Sequence, residues 1–162
     1  MRIAIVSDTH MPRGDRAVPA ECVAAMRSAA VIVHAGDLSS AAVLDWLESL
    51  GPPLHAVHGN VDSAEVRERL PESLEFTAEG HRIAVTHDAG AAKGRLARMR
   101  RRFPDAGAVI FGHSHQPLHE EEGGFHIFNP GSPTERRRAP RHSFGVAEAS
   151  RESLAFRHIW LG

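Results

Sequence analysis

The sequence predicts an α/β (α+β) fold in which two packed β-sheets are covered by helices. In the first half, apolar runs alternate with helical segments in the order βαβαβα, which is typical of parallel strands with helices outside them. From residue 74 onward, apolar and polar residues mostly alternate, which favours antiparallel strands. The chain has 162 residues and no charged linker between these halves, so a single domain over residues 1–162 is predicted.

The elements of the first half follow from apolar runs and from residues that begin or end helices. Proline suits the first position of a helix, so a helix is predicted to begin near Pro19. Ser39 or Ser40 can cap a second helix, which Gly51 ends. The predicted order is a strand at 3–6, a loop with Pro12 and Gly14, the first helix, a strand at 31–35, the second helix, a strand at 54–57 and a helix at 63–70.

The second half is predicted from alternating patterns and one basic segment. Apolar residues alternate with polar ones on both sides of Gly80, which indicates a hairpin. The remaining predicted elements are a basic helix at 91–102, a buried strand at 108–111 and strands at 125–128, 142–149 and 154–161. No repeat or low-complexity tract interrupts this order.

Composition excludes several classes of protein. Nineteen Lys and Arg against twenty Asp and Glu give a formal net charge of −1, which argues against a polycation built for nucleic acid. Cys22 is the only cysteine, so an intramolecular disulfide and a cysteine-based zinc or iron–sulfur site are excluded. The opening apolar run is too short for a signal peptide and no run is long enough to span a membrane, so a cytoplasmic location is expected.

Residues able to bind a metal follow five of the predicted strands. These seven candidate ligands are Asp8, His10, Asp37, Asn60, His87, His113 and His115. In open α/β sheets, ligands bind outside the carboxyl ends of the strands, so the seven side chains are expected to meet there. Glycine precedes three of them, at Gly36, Gly59 and Gly112, where a tight turn is expected.

The number and type of these residues predict a two-metal centre. Seven ligands are too many for one tetrahedral zinc ion, but two metal ions that share a carboxylate would use them all. Oxygen ligands mixed with four imidazoles suit Mn²⁺, Zn²⁺, Fe or Ni²⁺ better than Ca²⁺ or Mg²⁺. A two-metal centre clamps the attacking and leaving oxygens of a phosphoryl group and lowers the pKa of a bridging water. The pattern therefore predicts phosphoryl transfer to a hydroxide nucleophile.

These motifs resemble those of the calcineurin-like metallophosphoesterases, in particular a small bacterial and archaeal branch of single-domain phosphodiesterases. That family has D-x-H, G-D, G-N, a lone histidine and G-H-x-H in this order. The chain has Asp8-Thr9-His10, Gly36-Asp37, Gly59-Asn60, His87 and Gly112-His113-Ser114-His115, and its Asn129-Pro130-Gly131-Ser132 also looks like that branch. The resemblance covers nearly the whole chain and implies a four-layer αββα sandwich of two mixed β-sheets flanked by helices.

The resemblance also implies a ligand set and a reaction. The implied ligands are Asp8, His10 and His115 for the first metal, Asn60, His87 and His113 for the second, and Asp37 for both. Asp37, Asn60 and His113 would also take part in catalysis. The implied protein is a hydrolase of phosphate esters, most often phosphodiesters, that uses two divalent transition-metal ions with Mn²⁺ favoured. Its expected partner is a small phosphate ester rather than a membrane, and a homo-oligomer is compatible with it.

One position departs from many relatives. They have G-N-H-[DE], in which the histidine donates a proton to the leaving group, whereas this chain has Val61. Because valine cannot donate a proton, slow hydrolysis of esters with poor leaving groups is expected. His58 is close enough in sequence to substitute as the acid, although a supporting role is the first expectation for it, as it is for His34.

Other polar residues have plainer expected roles. Asp62 is predicted to be the N-cap of the helix at 63–70, with Glu65 three residues later. The basic helix at 91–102 is predicted to present a solvated face. A second arginine run can offer a guanidinium to a substrate phosphate and comprises Arg136, Arg137, Arg138 and Arg141. Surface or strand-face positions are expected for His55, His81, His119, His126, His142 and His158.

Three functions compete at this level. The first is the metal-dependent phosphodiesterase, which the complete set of ligands favours. The second is a non-catalytic protein-binding scaffold of the same fold, as in a eukaryotic retromer subunit whose metal site is degraded. The third is a metal-dependent nuclease that uses the arginine runs, which the near-neutral net charge disfavours.

Overall fold

The structure is a computed structural model and describes residues 1–11 and 17–162, so the predicted loop residues Pro12 and Gly14 lie outside the described part. The described residues form ten strands and four helices. The strands are β1 (Arg2–Val6), β2 (Val31–His34), β3 (Leu54–Ala56), β4 (Ser73–Ala78), β5 (His81–Thr86), β6 (Ala108–Ile110), β7 (Leu118–Glu122), β8 (Phe125–Asn129), β9 (Ser143–Ala149) and β10 (Leu154–Trp160). The helices are α1 (Ala20–Ser28), α2 (Ala41–Glu48), α3 (Ala64–Arg69) and α4 (Arg95–Arg102).

The strands form two mixed sheets of five strands each. The first sheet has the order β10-β9-β1-β2-β3 and the second has the order β4-β5-β6-β8-β7. In the first, β1, β2 and β3 are parallel, while β9 and β10 run antiparallel. In the second, β5, β6 and β8 are parallel, and the edge strands β4 and β7 are antiparallel to their neighbours. The predicted fold class is therefore confirmed.

The second sheet is more parallel than its alternating sequence predicts. Helix α4 connects β5 to β6 as a crossover, and such a connection makes the two strands parallel. Strand β7 was not predicted at all. Its sequence, LHEEE, has no alternation, and four of its five residues are exposed. It exists through backbone pairing with β8 at the sheet edge, a tertiary contact that a local pattern does not encode.

Helix boundaries agree with the predicted ones except at α4. Ser40 is the N-cap of α2, as expected, whereas Pro19 is the N-cap of α1 rather than its first helical residue. Helix α4 begins at Arg95 rather than at residue 91, because Gly94 before it has a left-handed backbone with a φ of 71°. Ser63 is the N-cap of α3, and its side chain accepts a hydrogen bond from the Val66 N–H. The prediction that Asp62 caps this helix is therefore wrong.

The two sheets pack face to face between helical layers. Alternate residues of β1 show this arrangement, because Ile3 and Ile5 pack between the sheets while Ala4 and Val6 pack against the helical layer of α1 and α2. On the far side, α4 covers the second sheet with the buried Met99. The result is the four-layer αββα sandwich. Among the described helices, none is long and apolar enough to cross a membrane.

Candidate metal centre

All seven candidate ligands lie in loops that leave the carboxyl ends of parallel strands. The loops after β1, β2 and β3 come from the first sheet, and those after β5 and β6 come from the second. Backbone hydrogen bonds join loops of the same sheet, from Asp8 N to Gly36 O and from Gly112 N to His87 O. Between the sheets, the His113 N–H donates to Asp8 Oδ2 at 3.0 Å, so the two sheet edges meet where the predicted ligands are.

The first group of side chains contains Asp8, His10 and His115, all of them buried. Nε2 of His10 lies 3.1 Å from Nε2 of His115, and Oδ1 of Asp8 lies 3.4 Å from the latter atom. The other ring nitrogen of His115, Nδ1, donates to the backbone carbonyl of Glu135. Because a carbonyl only accepts, Nδ1 carries a proton, and Nε2 is the atom that faces the other ligands of this group.

The second group contains Asp37, His87 and His113, and Asn60 lies among them. Oδ1 of Asn60 lies 3.0 Å from Nε2 of His87 and 3.0 Å from Nδ1 of His113. Nδ1 of His87 donates to the carbonyl of Ala35 at 2.7 Å, so its Nε2 is the atom that faces the group. The side chains brought together in each group are those that the resemblance assigns to one metal ion, and their binding of a metal stays a prediction.

Asp37 connects the two groups. Its Oδ2 lies 3.1 Å from Nε2 of His87 in the second group and 3.7 Å from Nε2 of His10 in the first. Burial alone raises the pKa of Asp37, but the hydrogen bond with His87, that residue's charge and the Val61 N–H outweigh it and lower the pKa to about 2. The carboxylate is therefore ionised and lies between the two sets of imidazoles.

The histidines of the two groups differ electrostatically. Burial opposes the charged form of His87, but its hydrogen bond to Asp37 and the negative charges of Asp8 and Asp37 raise its pKa to about 8. Burial lowers the pKa of His10 despite the same two carboxylates. In the metal-free protein, a proton on Nε2 of His87 is shared in hydrogen bonds with the oxygens of Asp37 and Asn60. A divalent cation bound by the same atoms would take the place of this proton, so metal binding at this position releases a proton.

The backbone at the site is unusual for residues with a side chain. Positive φ angles are unfavourable for residues other than glycine. They occur at five of the seven candidate ligands: Asp8 (56°), His10 (45°), Asp37 (60°), His113 (70°) and His115 (59°). Such residues cost on the order of 1–3 kcal/mol each and cluster at functional sites, because the surrounding structure has to hold them there. The clustering does not depend on side-chain type, so it is independent support for a functional role of these loops.

Glycine precedes three of the ligands mainly because neighbouring groups leave no room for a Cβ atom, and less because the chain turns there. A Cβ atom on Gly59 would lie 2.1 Å from Oδ1 of Asp37, and one on Gly112 would lie 2.7 Å from Oδ2 of Asp8. Of the three, Gly36 alone combines close packing with a positive φ, of 97°. The predicted tight turn is therefore found at Gly36. Gly59 is needed because the Asp37 carboxylate packs against its backbone, and Gly112 because the Ser7 hydroxyl and the Asp8 carboxylate do.

Asp62 holds two ligand loops together, a role that the sequence did not indicate. Its buried carboxylate accepts three backbone hydrogen bonds, from Gly59 N at 2.7 Å, Asp37 N at 3.0 Å and Ser39 N at 2.6 Å. The first two amides belong to the loops that carry Asn60 and Asp37. Since both oxygens are engaged in this way, Asp62 fixes the backbone of the second ligand group.

We expect Asp62→Asn to weaken metal binding by about 10- to 100-fold, the range typical of residues that orient metal ligands. The amide keeps the size of the side chain but replaces one acceptor with a donor that faces backbone N–H groups. Isothermal titration with Mn²⁺ measures the effect, with circular dichroism as the check on folding. The matched control is Asp105→Asn, an exposed carboxylate before β6. Equal Mn²⁺ affinities for the two variants would contradict the assignment.

Other buried polar groups join the remaining ligand loops. His34 donates from Nε2 to Thr9 Oγ1 and accepts at Nδ1 from Gly36 N, and burial lowers its pKa to about 4, so it is neutral. It thus ties the loop of Asp8 and His10 to that of Asp37 without belonging to either ligand group.

The Asn129-Pro130-Gly131-Ser132 segment acts similarly. Asn129 Nδ2 donates to Gly112 O, and Ser132 Oγ donates to Asp8 O. The segment therefore holds the loops on which His113 and Asp8 lie. Its proline and glycine indicated only a turn.

The chain after this segment also reaches the first ligand group. Oε2 of Glu135 lies 3.8 Å from Nε2 of His10, a proximity that no sequence motif indicated. In the second arginine run, Arg136 donates to Ala139 O, and Arg137 Nη1 lies 3.5 Å from His113 O. Contact of these arginines, or of Arg138 and Arg141, with a substrate phosphate stays a prediction.

Comparisons with known proteins show which family the chain belongs to. The model of the calcineurin-like phosphoesterase superfamily domain matches residues 1–152. The chain belongs to the calcineurin-like phosphoesterase superfamily. A protein named probable metallophosphoesterase from Methanothermobacter thermautotrophicus is 37% identical over 136 residues, which cover 83% of this chain and 78% of that protein.

Solved structures with a similar fold match nearly the whole chain. Wild-type Vps29 from Entamoeba histolytica, complexed with Zn²⁺, has a TM-score of 0.79 at 22% identity and covers 99% of both chains. A structure described as a novel archaeal phosphodiesterase has a TM-score of 0.77 at 22% identity and covers 99% of this chain and all of that one. At this identity, both matches establish the fold.

Proposed function

We propose that this chain is a phosphodiesterase that depends on two divalent transition-metal ions, held by the seven candidate ligands. The observation that carries the proposal is the position of Asp37, whose Oδ2 lies within 3.7 Å of a histidine nitrogen in each ligand group. A carboxylate placed in this way can bridge two ions. Membership of a metallophosphoesterase family supports the same reading.

The donor atoms fit such a pair of ions. Atoms that share an ion about 2.1 Å away lie roughly 3.0–3.4 Å from one another. The separations within the groups are 3.0, 3.1 and 3.4 Å, with Asp8 Oδ1 and His10 Nε2 somewhat wider at 3.8 Å. Four imidazoles beside carboxylate and amide oxygens suit Mn²⁺, Zn²⁺, Fe or Ni²⁺, and we favour Mn²⁺ as the working choice.

When bound, two such ions supply a water of lowered pKa and positive charge for the phosphate oxygens. The side chains determine where a phosphodiester can bind. Asp8 and His115 are fully buried, and His10 and Asp37 nearly so. Asn60 and His113 are exposed, so they form the face that a substrate reaches. We assign to the Asn60 amide and His113 the orientation of the phosphate, and to Asp37 the alignment of the two groups.

Two observations favour this function over the two alternatives. A nuclease would have to bind a long polyanion through the arginine runs, and the formal net charge of −1 disfavours such binding. A scaffold with a degraded site would lack ligands, whereas all seven are present and close together.

We expect purified protein loaded with Mn²⁺ to contain close to two equivalents of metal per chain by elemental analysis. It should hydrolyse bis(p-nitrophenyl) phosphate faster than p-nitrophenyl phosphate and lose this activity on treatment with a chelator. A panel of aryl phosphodiesters, cyclic nucleotides and phosphomonoesters then identifies the preferred class. A stoichiometry of one, or activity that survives removal of all metal, would refute the proposal.

A further inference from the structure

A cavity of about 220 Å³ opens beside the second ligand group. Asn60, His87 and His113 line one part of it, so a phosphate placed between the ligand groups lies at its mouth. Its other charged lining residues are Arg67, Glu72 and Asp88. The mechanism proposed above gives none of these three a role.

Charge is distributed unevenly in this cavity. The Arg67 guanidinium donates to the backbone carbonyls of Asn60 at 2.7 Å and of Asp62 at 3.1 Å, which fixes it at the end nearest the ligands. Glu72 and Asp88 are exposed carboxylates. The formal charges of the three side chains sum to −1. Outside the ligand groups, the lining of the cavity is therefore mildly negative, although the superfamily acts on anionic substrates.

The size of the cavity limits what can enter. Pockets for drug-sized ligands usually measure about 300–1,000 Å³, so about 220 Å³ suits one small alcohol. A nucleic-acid strand or a nucleoside polyphosphate would have to leave most of its bulk outside. It would also bring further phosphates close to Glu72 and Asp88.

We propose that this cavity binds one ester substituent of the phosphodiester, and that Glu72 and Asp88 select a substituent with a positive charge or hydrogen-bond donors against one with a negative charge. The inference rests on the proposed phosphodiesterase function and names its substrate class: diesters of small amino alcohols or polyols. Because the carboxylates are partly solvated, each contributes a modest preference, about fivefold for a unit charge roughly 4 Å away in water.

Three p-nitrophenyl phosphodiesters with the same chromogenic leaving group test this proposal. Their second substituents are choline, propyl and carboxyethyl, which carry charges of plus one, zero and minus one. For the Mn²⁺-loaded protein we expect kcat/KM to fall in that order, by about fivefold at each step. In Glu72→Gln/Asp88→Asn the ratio of the choline to the carboxyethyl ester should fall at least tenfold. Glu68→Gln, an exposed carboxylate of α3 outside the cavity, is the matched control and should leave the ratio unchanged.

A binding measurement separates this inference from the proposed function. Isothermal titration of the Mn²⁺-loaded protein with phosphocholine and with phosphoglycolate should show tighter binding of phosphocholine, and the double variant should lose that preference. If none of the three esters is hydrolysed, the proposed function fails and the titration still decides the role of the cavity. An equal ratio in wild type and double variant, or a wild-type preference for the anionic ligand, would overturn the inference.

Discussion

Replacing Asp37 with alanine should abolish metal binding at both ligand groups and lower phosphodiesterase activity by at least about 10³-fold. Oδ2 of Asp37 is close to His87 in one group and to His10 in the other, so its loss removes an anionic ligand from each. A metal ion contributes several kcal/mol of charge stabilisation to phosphoryl transfer, and here the contributions of two ions are lost together. Elemental analysis after Mn²⁺ loading measures the binding, and a chromogenic diester measures the rate.

Two further variants make this result specific. Asp37→Asn keeps the volume of the side chain, so it tests the loss of the negative charge without leaving a void where the carboxylate was. Glu148→Ala removes an exposed carboxylate that pairs with Arg2 on β1, away from the ligand loops, and should keep two equivalents of Mn²⁺. If Asp37→Ala also keeps two equivalents at wild-type affinity, the two groups do not share this carboxylate.

The second large effect concerns the leaving group. Val61 is half exposed, and through its N–H it donates to Asp37 Oδ1, but its side chain cannot protonate a departing alkoxide. General acids typically contribute about 10²- to 10⁴-fold, so diesters with alkyl leaving groups should be slower than aryl diesters by at least that factor. We expect log kcat, measured over a series of substituted aryl and alkyl diesters, to fall steeply as the pKa of the leaving group rises.

The structure also limits how well this defect can be repaired. In relatives with G-N-H-[DE], an acidic residue follows the histidine, and Asp62 occupies that position here. It is not available to orient a histidine introduced by Val61→His, because both its oxygens accept backbone N–H groups. The new imidazole would therefore lack a partner, and we expect only about a tenfold gain, at the low end for a general acid and confined to poor leaving groups. Val61→Leu is the control for size.

A flat dependence on the pKa of the leaving group, with chemistry shown to be rate-limiting, would mean that another residue donates the proton. His58 lines the cavity beside Asn60 and is the first residue to test by replacement with alanine. Otherwise, His58→Ala should cost much less than His113→Ala, because His58 belongs to neither ligand group.

Individual residues show why some features were predictable and others were not. The metal-binding residues follow strand-like runs, and the ends of parallel strands necessarily meet at one sheet edge, so the seven candidates could be found by position alone. Asp62 was misread because the local pattern of a capping box describes it well, while its three partners come from loops up to 25 residues away. Strand β7 was missed for a similar reason, since only its pairing with β8 makes it a strand.

The sequence by itself determined the two-sheet architecture, the βαβαβα start and the identity of the seven candidate ligands, because hydrophobic periodicity and residue chemistry are local properties. The family resemblance implied how those ligands divide into two groups that share Asp37, but tertiary structure alone set the distances within each group. It also decided which nitrogen each of His87 and His115 presents, and the charge of the neighbouring cavity. These properties depend on distances of 3–4 Å between residues far apart in the chain, and such distances are set only when the two sheets pack together.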